Sequence, residues 1–140
     1  FRRAFHTFDP ERIVRYGEKD VARLMADAGI VRNKLKIEAT IDNARAYLKL
    51  RDRTTLAAFL WSQMENGPIL NRFASMKELP AETVESKRIS KALKAEGFRF
   101  VGPTTIYAYM QSVGLVNDHL TTCPRHAAVC KLHRSFERPQ

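Results

Sequence analysis

The stretch Asp20-Val-Ala-Arg-Leu-Met-Ala-Asp-Ala-Gly29-Ile-Val-Arg-Asn-Lys34-Leu-Lys36-Ile37 holds two helical patterns separated by a few residues. Val21, Leu24 and Met25 fall at i, i+3 and i+4, the apolar stripe of an amphipathic helix, and Ala28-Gly29 ends it. Ile37, Ile41, Ala44 and Leu48 then repeat at helical spacing through Tyr47 to Leu50. Two helices joined by so short a turn predict a helix-hairpin-helix. Gly29 allows the backbone to approach a phosphate closely, and the N–H groups that open the second helix form an anion site. Gly29, Val31, Arg32, Lys34 and Lys36 are therefore candidate contacts to a DNA backbone, of the kind that position a protein without reading base sequence. The same residues also fit an ordinary helical hairpin with a solvated basic turn.

Outward from the hairpin the periodicity stays helical. The opening residues read as the interior of a helix, and Asp9-Pro10 supplies a cap and a first-turn proline for a short helix carrying Ile13 and Val14. Beyond the hairpin, Thr54 or Thr55 caps a segment with Leu56, Phe59, Leu60 and Met64 on one face, which stops before Asn66-Gly67-Pro68. From Gly67 to Pro80 no period is sustained, which predicts a loop with local turns. A helix from about Ser86 uses Ile89, Ala92 and Leu93 and ends at Gly97. Thr104 or Thr105 caps the next, whose stripe of Ile106, Tyr109, Met110 and Val113 stops at Gly114. The expectation is an all-α chain needing no sheet, with one helical domain over residues 1–130 and a frayed tail over 131–140.

Composition narrows the class. A chain of 140 residues with 44% hydrophobic and 28% charged residues can bury a core and has no disorder signature. No apolar run approaches the roughly 18 residues of a membrane span, and the start has no signal-peptide core. A cytoplasmic monomer without a membrane partner is expected. The net charge of +9 favours a polyanionic partner. Phe1 is not an initiator methionine, so the natural beginning is expected to lie upstream.

Cys123 and Cys130 lie seven apart, interleaved with His119, His126 and His133. That suits a metal more than a disulfide framework. His119 and Cys123 alone are half a structural zinc site, since zinc takes four Cys or His ligands in a tetrahedron. His126, Cys130 and His133 are local candidates for the rest. A non-catalytic helix-hairpin-helix module held by a local zinc through His119, Cys123, His126 and Cys130 is the alternative reading of function. Tyr107, Tyr109 and Met110 suit either a base pocket or the core, and Trp61 suits the core.

Ser90-Lys-Ala-Leu-Lys-Ala-Glu-Gly97-Phe-Arg-Phe-Val-Gly102-Pro-Thr-Thr-Ile-Tyr107-Ala-Tyr-Met-Gln111-Ser-Val-Gly114-Leu-Val-Asn117-Asp118-His119 resembles the signature of the DNA-3-methyladenine glycosylase I family. Phe8-Asp9-Pro10, Asp27-Ala28-Gly29-Ile30, Lys36-Ile37-Glu38-Ala39, Asn43-Ala44-Arg45-Ala46 and Phe59-Leu60-Trp61-Ser62 extend the resemblance from Phe5 to about Cys123. It implies a helix-hairpin-helix glycosylase, here N-terminally incomplete, that flips an alkylated adenine out of double-stranded DNA and hydrolyses its N-glycosidic bond. It implies that His119 and Cys123 are two of four ligands to a structural zinc. The family's other two ligands, the carboxylate that recognises the base, its stacking aromatics and its wedge belong to an N-terminal segment this sequence does not contain. Glu38 matches a different part of the pattern, so no catalytic residue is assigned here, and these 140 residues alone are expected to bind DNA weakly and excise poorly.

Overall fold

The computed structural model describes residues 1–139. Among them, seven α-helices, two short 3-10 turns and one pair of two-residue strands give the all-helical architecture expected. No described helix is long and apolar enough to cross a membrane. The sequence suggests one domain to residue 130. The chain packs as two compact units, one of Phe1–Leu56 with Leu93–Phe100, the other of Ala57–Ala92 with Val101 onward.

The first unit is built on three helices, α1 (Pro10–Ile13), α2 (Glu18–Ala26) and α3 (Lys34–Arg51). Asp9 caps α1 by accepting from the N–H groups of Glu11 (3.0 Å) and Arg12 (3.4 Å), as its sequence predicts. The residues before it form turns, not the interior of a helix. His6, Thr7 and Phe8 all have left-handed φ values of 48°, 58° and 60°, which no α-helix accommodates. Phe5, Ile13, Tyr16, Leu24, Ile30, Ile37, Ile41 and Ala44 are buried together as the core. The chain returns to this unit after residue 92. There Asn43 accepts from the Arg99 N–H (2.7 Å) and donates to the Arg99 carbonyl (3.0 Å), and Arg99 reaches Asp42 (2.6 Å).

The second unit holds α4 (Leu56–Ser62, less its first residue), most of α5 (Val84–Ala95), α6 (Pro103–Val113) and α7 (Pro124–Arg134). Its buried residues include Leu60, Trp61, Met64, Ile89, Ile106, Tyr107, Met110, Leu115 and Val116. Strands β1 (Ile69–Leu70) and β2 (Val116–Asn117) pair in parallel, Ile69 beside Val116 and Leu70 beside Asn117. The pairing corrects the expectation that no sheet is needed. It joins segments 47 positions apart in each pair, and two-residue strands carry no period to read.

Two further boundaries differ from their sequence signals. Pro103 occupies the first turn of α6 and Gly102 its N-cap, so Thr104 and Thr105 lie inside the helix. The helix ends as predicted at Gly114, whose φ of 80° is the left-handed turn that favours glycine. The second lies past Cys130, where the sequence loses its helical pattern. α7 runs to Arg134, with Lys131 and Arg134 in its last turn, where positive charge suits the helix dipole. The Phe136 ring then lies 4.3 Å from Trp61, and Arg138 donates to the Glu65 carbonyl at 2.9 Å. Gln140 lies outside the described residues.

Candidate functional site

Helices α2 and α3 flank a turn over residues 27–33, and α2 stops earlier than its sequence signal. Asp27, in extended conformation with ψ 108°, ends α2 ahead of Gly29. Its carboxylate accepts the Gly29 N–H at 2.7 Å and stands 3.0 Å from where a Gly29 side chain would begin. The Gly29 N–H is thus engaged within the turn, and Gly29 contributes its small size more than an anion-binding donor. Asn33 caps α3, its side chain and carbonyl taking the N–H groups of Lys36 (3.1 Å) and Ile37 (3.1 Å). The preceding N–H groups, of Lys34 and Leu35, belong to the first turn, whose N–H groups have no carbonyl partner within the helix. Val31, Arg32, Lys34 and Lys36 are all exposed here, Val31 and Leu35 at 59% and 58%. The turn therefore presents a positive helix start, three cations and two apolar side chains to solvent.

Beside the hairpin lies a hollow of about 700 Å³ bordered by Tyr16, Met25, Lys34, Glu38, Asp42 and Arg45. Two of its carboxylates face cations: Glu38 lies 3.8 Å from Lys34, and Asp42 lies 2.9 Å from Arg45 and 2.6 Å from Arg99.

In the second unit, the segment after β2 is fixed by a buried polar network that no sequence pattern announces. Asp118 accepts hydrogen bonds from the Tyr107 hydroxyl, from Gln111 Nε2 (2.8 Å) and from Asn71 Nδ2 (2.7 Å). Burial, then the bond to Asp118, pushes the Tyr107 hydroxyl pKa far above its ordinary value. Tyr107 and Met110 are core residues, whereas Tyr109 is 39% exposed. Asn117 accepts the His119 N–H at 3.2 Å, so both neighbours of the buried carboxylate are held.

His119 Nδ1 and Cys123 Sγ are 3.9 Å apart. Zinc bonds of about 2.0–2.1 Å to nitrogen and 2.3 Å to sulfur allow both atoms to reach one ion, so the pair fits half of a structural site. The other local candidates do not complete it. His126 faces Cys130 instead, Nδ1 to Sγ 3.8 Å, and the His133 ring lies against Gly114. No group of three or more His, Cys, Asp or Glu side chains among the described residues is placed to hold a metal. The four-ligand site of His119, Cys123, His126 and Cys130 is therefore not assembled: its members form two separate pairs.

Comparison with known proteins places this geometry in a family. The methyladenine glycosylase family model matches residues 1–126. The DNA-3-methyladenine glycosylase of Haemophilus influenzae is 43% identical over 125 residues, covering 89% of this chain and 68% of that protein. DNA-3-methyladenine glycosylase 1 of Escherichia coli K12 is 44% identical over 124 residues, covering 88% and 66%. A crystal structure of 3-methyladenine DNA glycosylase I superposes with a TM-score of 0.84 at 45% identity, covering 88% of this chain and 68% of that one. The Staphylococcus aureus enzyme, solved to explain 3-methyladenine recognition, gives 0.82 at 31% identity, covering 88% and 66%. The chain thus spans about two thirds of the length of these relatives.

Proposed function

The chain belongs to the methyladenine glycosylase family, and we propose that it serves base-excision repair by hydrolysing the N-glycosidic bond of 3-methyladenine in alkylated DNA. The observation that carries the proposal is the family match over residues 1–126, which takes in the exposed basic hairpin and the buried Asp118 network. The protein acts as a cytoplasmic monomer on double-stranded DNA.

Alkylation at N3 gives the adenine a positive charge, which withdraws electrons from the glycosidic bond and makes the base a good leaving group. Water supplies the oxygen that replaces it on the sugar. The enzyme's main tasks are to hold the duplex, unstack the damaged nucleotide at a cost of about a few kcal/mol, and select the cationic base by stacking and a nearby acceptor. Holding the duplex falls to the hairpin, a helix-hairpin-helix, in which Arg32, Lys34 and Lys36 pair with phosphates and the start of α3 offers its N–H groups. Gly29 and Val31 shape the turn against the backbone. No carboxylate of this chain is assigned to catalysis: Glu38, Asp42 and Asp118 each have a donor or cation in place.

His119 and Cys123 are proposed as two ligands of a structural zinc, with the other two coming from outside the described residues. When bound, that ion ties segments of chain together and takes no part in bond cleavage. The buried Asp118 network and the Asn117 side chain hold the backbone on which His119 stands.

Chromatography of bases released from alkylated duplex DNA tests the function. A version joined to the additional segment of the Haemophilus influenzae relative should release 3-methyladenine and leave undamaged adenine in place. Failure to release it, with the fold intact by circular dichroism, would overturn the proposal.

A further inference from the structure

We propose that His126 and Cys130 form a two-point binding site for a thiophilic d10 metal ion of the zinc and cadmium type, separate from the His119–Cys123 pair. Both residues lie on α7, one helical turn apart, and Cys130 lies beyond the residues that the family model matches. Their facing atoms, Nδ1 and Sγ, are 3.8 Å apart. Metal bonds of about 2.0 Å to nitrogen and 2.3 Å to sulfur span that gap with a bent geometry.

The stronger argument is the tautomer. His126 Nε2 lies 2.9 Å from the Asn71 carbonyl oxygen. A carbonyl only accepts, so Nε2 carries the proton, and the neutral ring is left with its lone pair on Nδ1, the atom that faces the sulfur. Anchoring one ring nitrogen on a backbone carbonyl so that the other is free to bind is the usual support of a metal-ligating histidine.

The sulfur is supported as well. Asn117 donates from Nδ2 both to Cys130 Sγ (3.5 Å) and to the His126 carbonyl (3.1 Å). The first contact fixes the position of the sulfur, and the second fixes the turn that carries both ligands. Asn117 is buried on β2, so the pair is anchored to the β1–β2 ladder as well as to its own helix. Cys130 is half-buried, which leaves room for solvent to fill the remaining coordination positions. On binding, the thiol releases its proton to solvent, sulfur and Nδ1 each donate a lone pair to the ion, and no electron is transferred.

Cadmium titration of the reduced chain tests the site, followed by thiolate-to-metal ultraviolet absorption in a Cys123→Ser background, where Cys130 is the remaining thiol. One equivalent of Cd²⁺ should produce the absorption, and the nitrogen resonance of His126 Nδ1 should shift with it. Adding Cys130→Ser should abolish the signal. His126→Gln, whose amide N–H can still donate to Asn71, should weaken binding by about tenfold or more. Absence of the absorption in Cys123→Ser, an unmoved Nδ1 resonance, or His126→Gln affinity within twofold of its parent would each overturn the site. Matching circular dichroism spectra of all variants keep the comparison independent of folding.

Discussion

Asp118 is the residue on which the second unit's polar interior converges. A buried carboxylate is costly unless its lone pairs are met, and here three donors from Asn71, Tyr107 and Gln111 meet them. Tyr107→Phe removes one donor to an ionised acceptor and should lower unfolding free energy by about 1.5–3 kcal/mol, measured by urea denaturation near neutral pH. The same hydroxyl predicts a pH dependence. Its pKa is raised in the folded state above the ordinary 10.0, so the native protein holds this proton longer than the unfolded chain. The resulting stability is complete below about pH 10 and is lost as pH rises through the folded value. Urea midpoints between pH 8 and 11 should therefore fall more steeply for the native sequence than for Tyr107→Phe. Equal slopes would deny Tyr107 that role. None of this network is legible in the sequence. His119 and Cys123 stand out by spacing, but Asp118 is read only when Asn71, 47 positions away, is known to lie beside it.

At the scale of elements, local chemistry decides most boundaries, and distant contacts decide the rest. Asp9-Pro10, the stripe of α3 and the stop at Gly114 follow from capping, periodicity and left-handed backbone, which a sequence displays directly. The end of α2 departs from its sequence signal because Asp27 and Gly29 both suit a helix stop, and the carboxylate's grip on the Gly29 N–H moves the stop forward. The β1–β2 ladder and the return of residues 93–100 to the first unit rest on backbone and Asn43 bonds between distant segments, which leave no local trace. Gly114→Ala should cost about 1–2 kcal/mol in thermal or urea unfolding, because a side chain must adopt left-handed φ there and meets His133 at 3.7 Å. The hairpin carries a functional prediction. Replacing Arg32, Lys34 and Lys36 together with alanine should weaken duplex binding and flatten the plot of log affinity against log salt by roughly one unit for each phosphate no longer neutralised. Fluorescence anisotropy at several salt concentrations would show it, and an unchanged slope would move the DNA interface elsewhere. All three side chains are exposed, so their removal should leave stability almost untouched.

For the whole molecule, charge and family membership point the same way. A net charge of +9 favours a polyanion, and the match over residues 1–126 selects alkylated DNA among polyanions. Family membership is legible in the run from Ser90 to His119, a pattern long and specific enough to survive without structure. The catalytic assignment is legible only in part, since Glu38 and Asp42 beside the hairpin face cations and the chain spans about two thirds of its relatives. The proposal that the basic hairpin holds DNA and that no carboxylate of these 140 residues recognises the base is tested most directly by one measurement. The rate of 3-methyladenine release from alkylated duplex DNA is compared between the chain itself and the chain joined to the additional segment of the Haemophilus influenzae relative. The account predicts release by the joined protein and little by the chain alone. Equal rates would contradict it by placing the catalytic carboxylate within these residues.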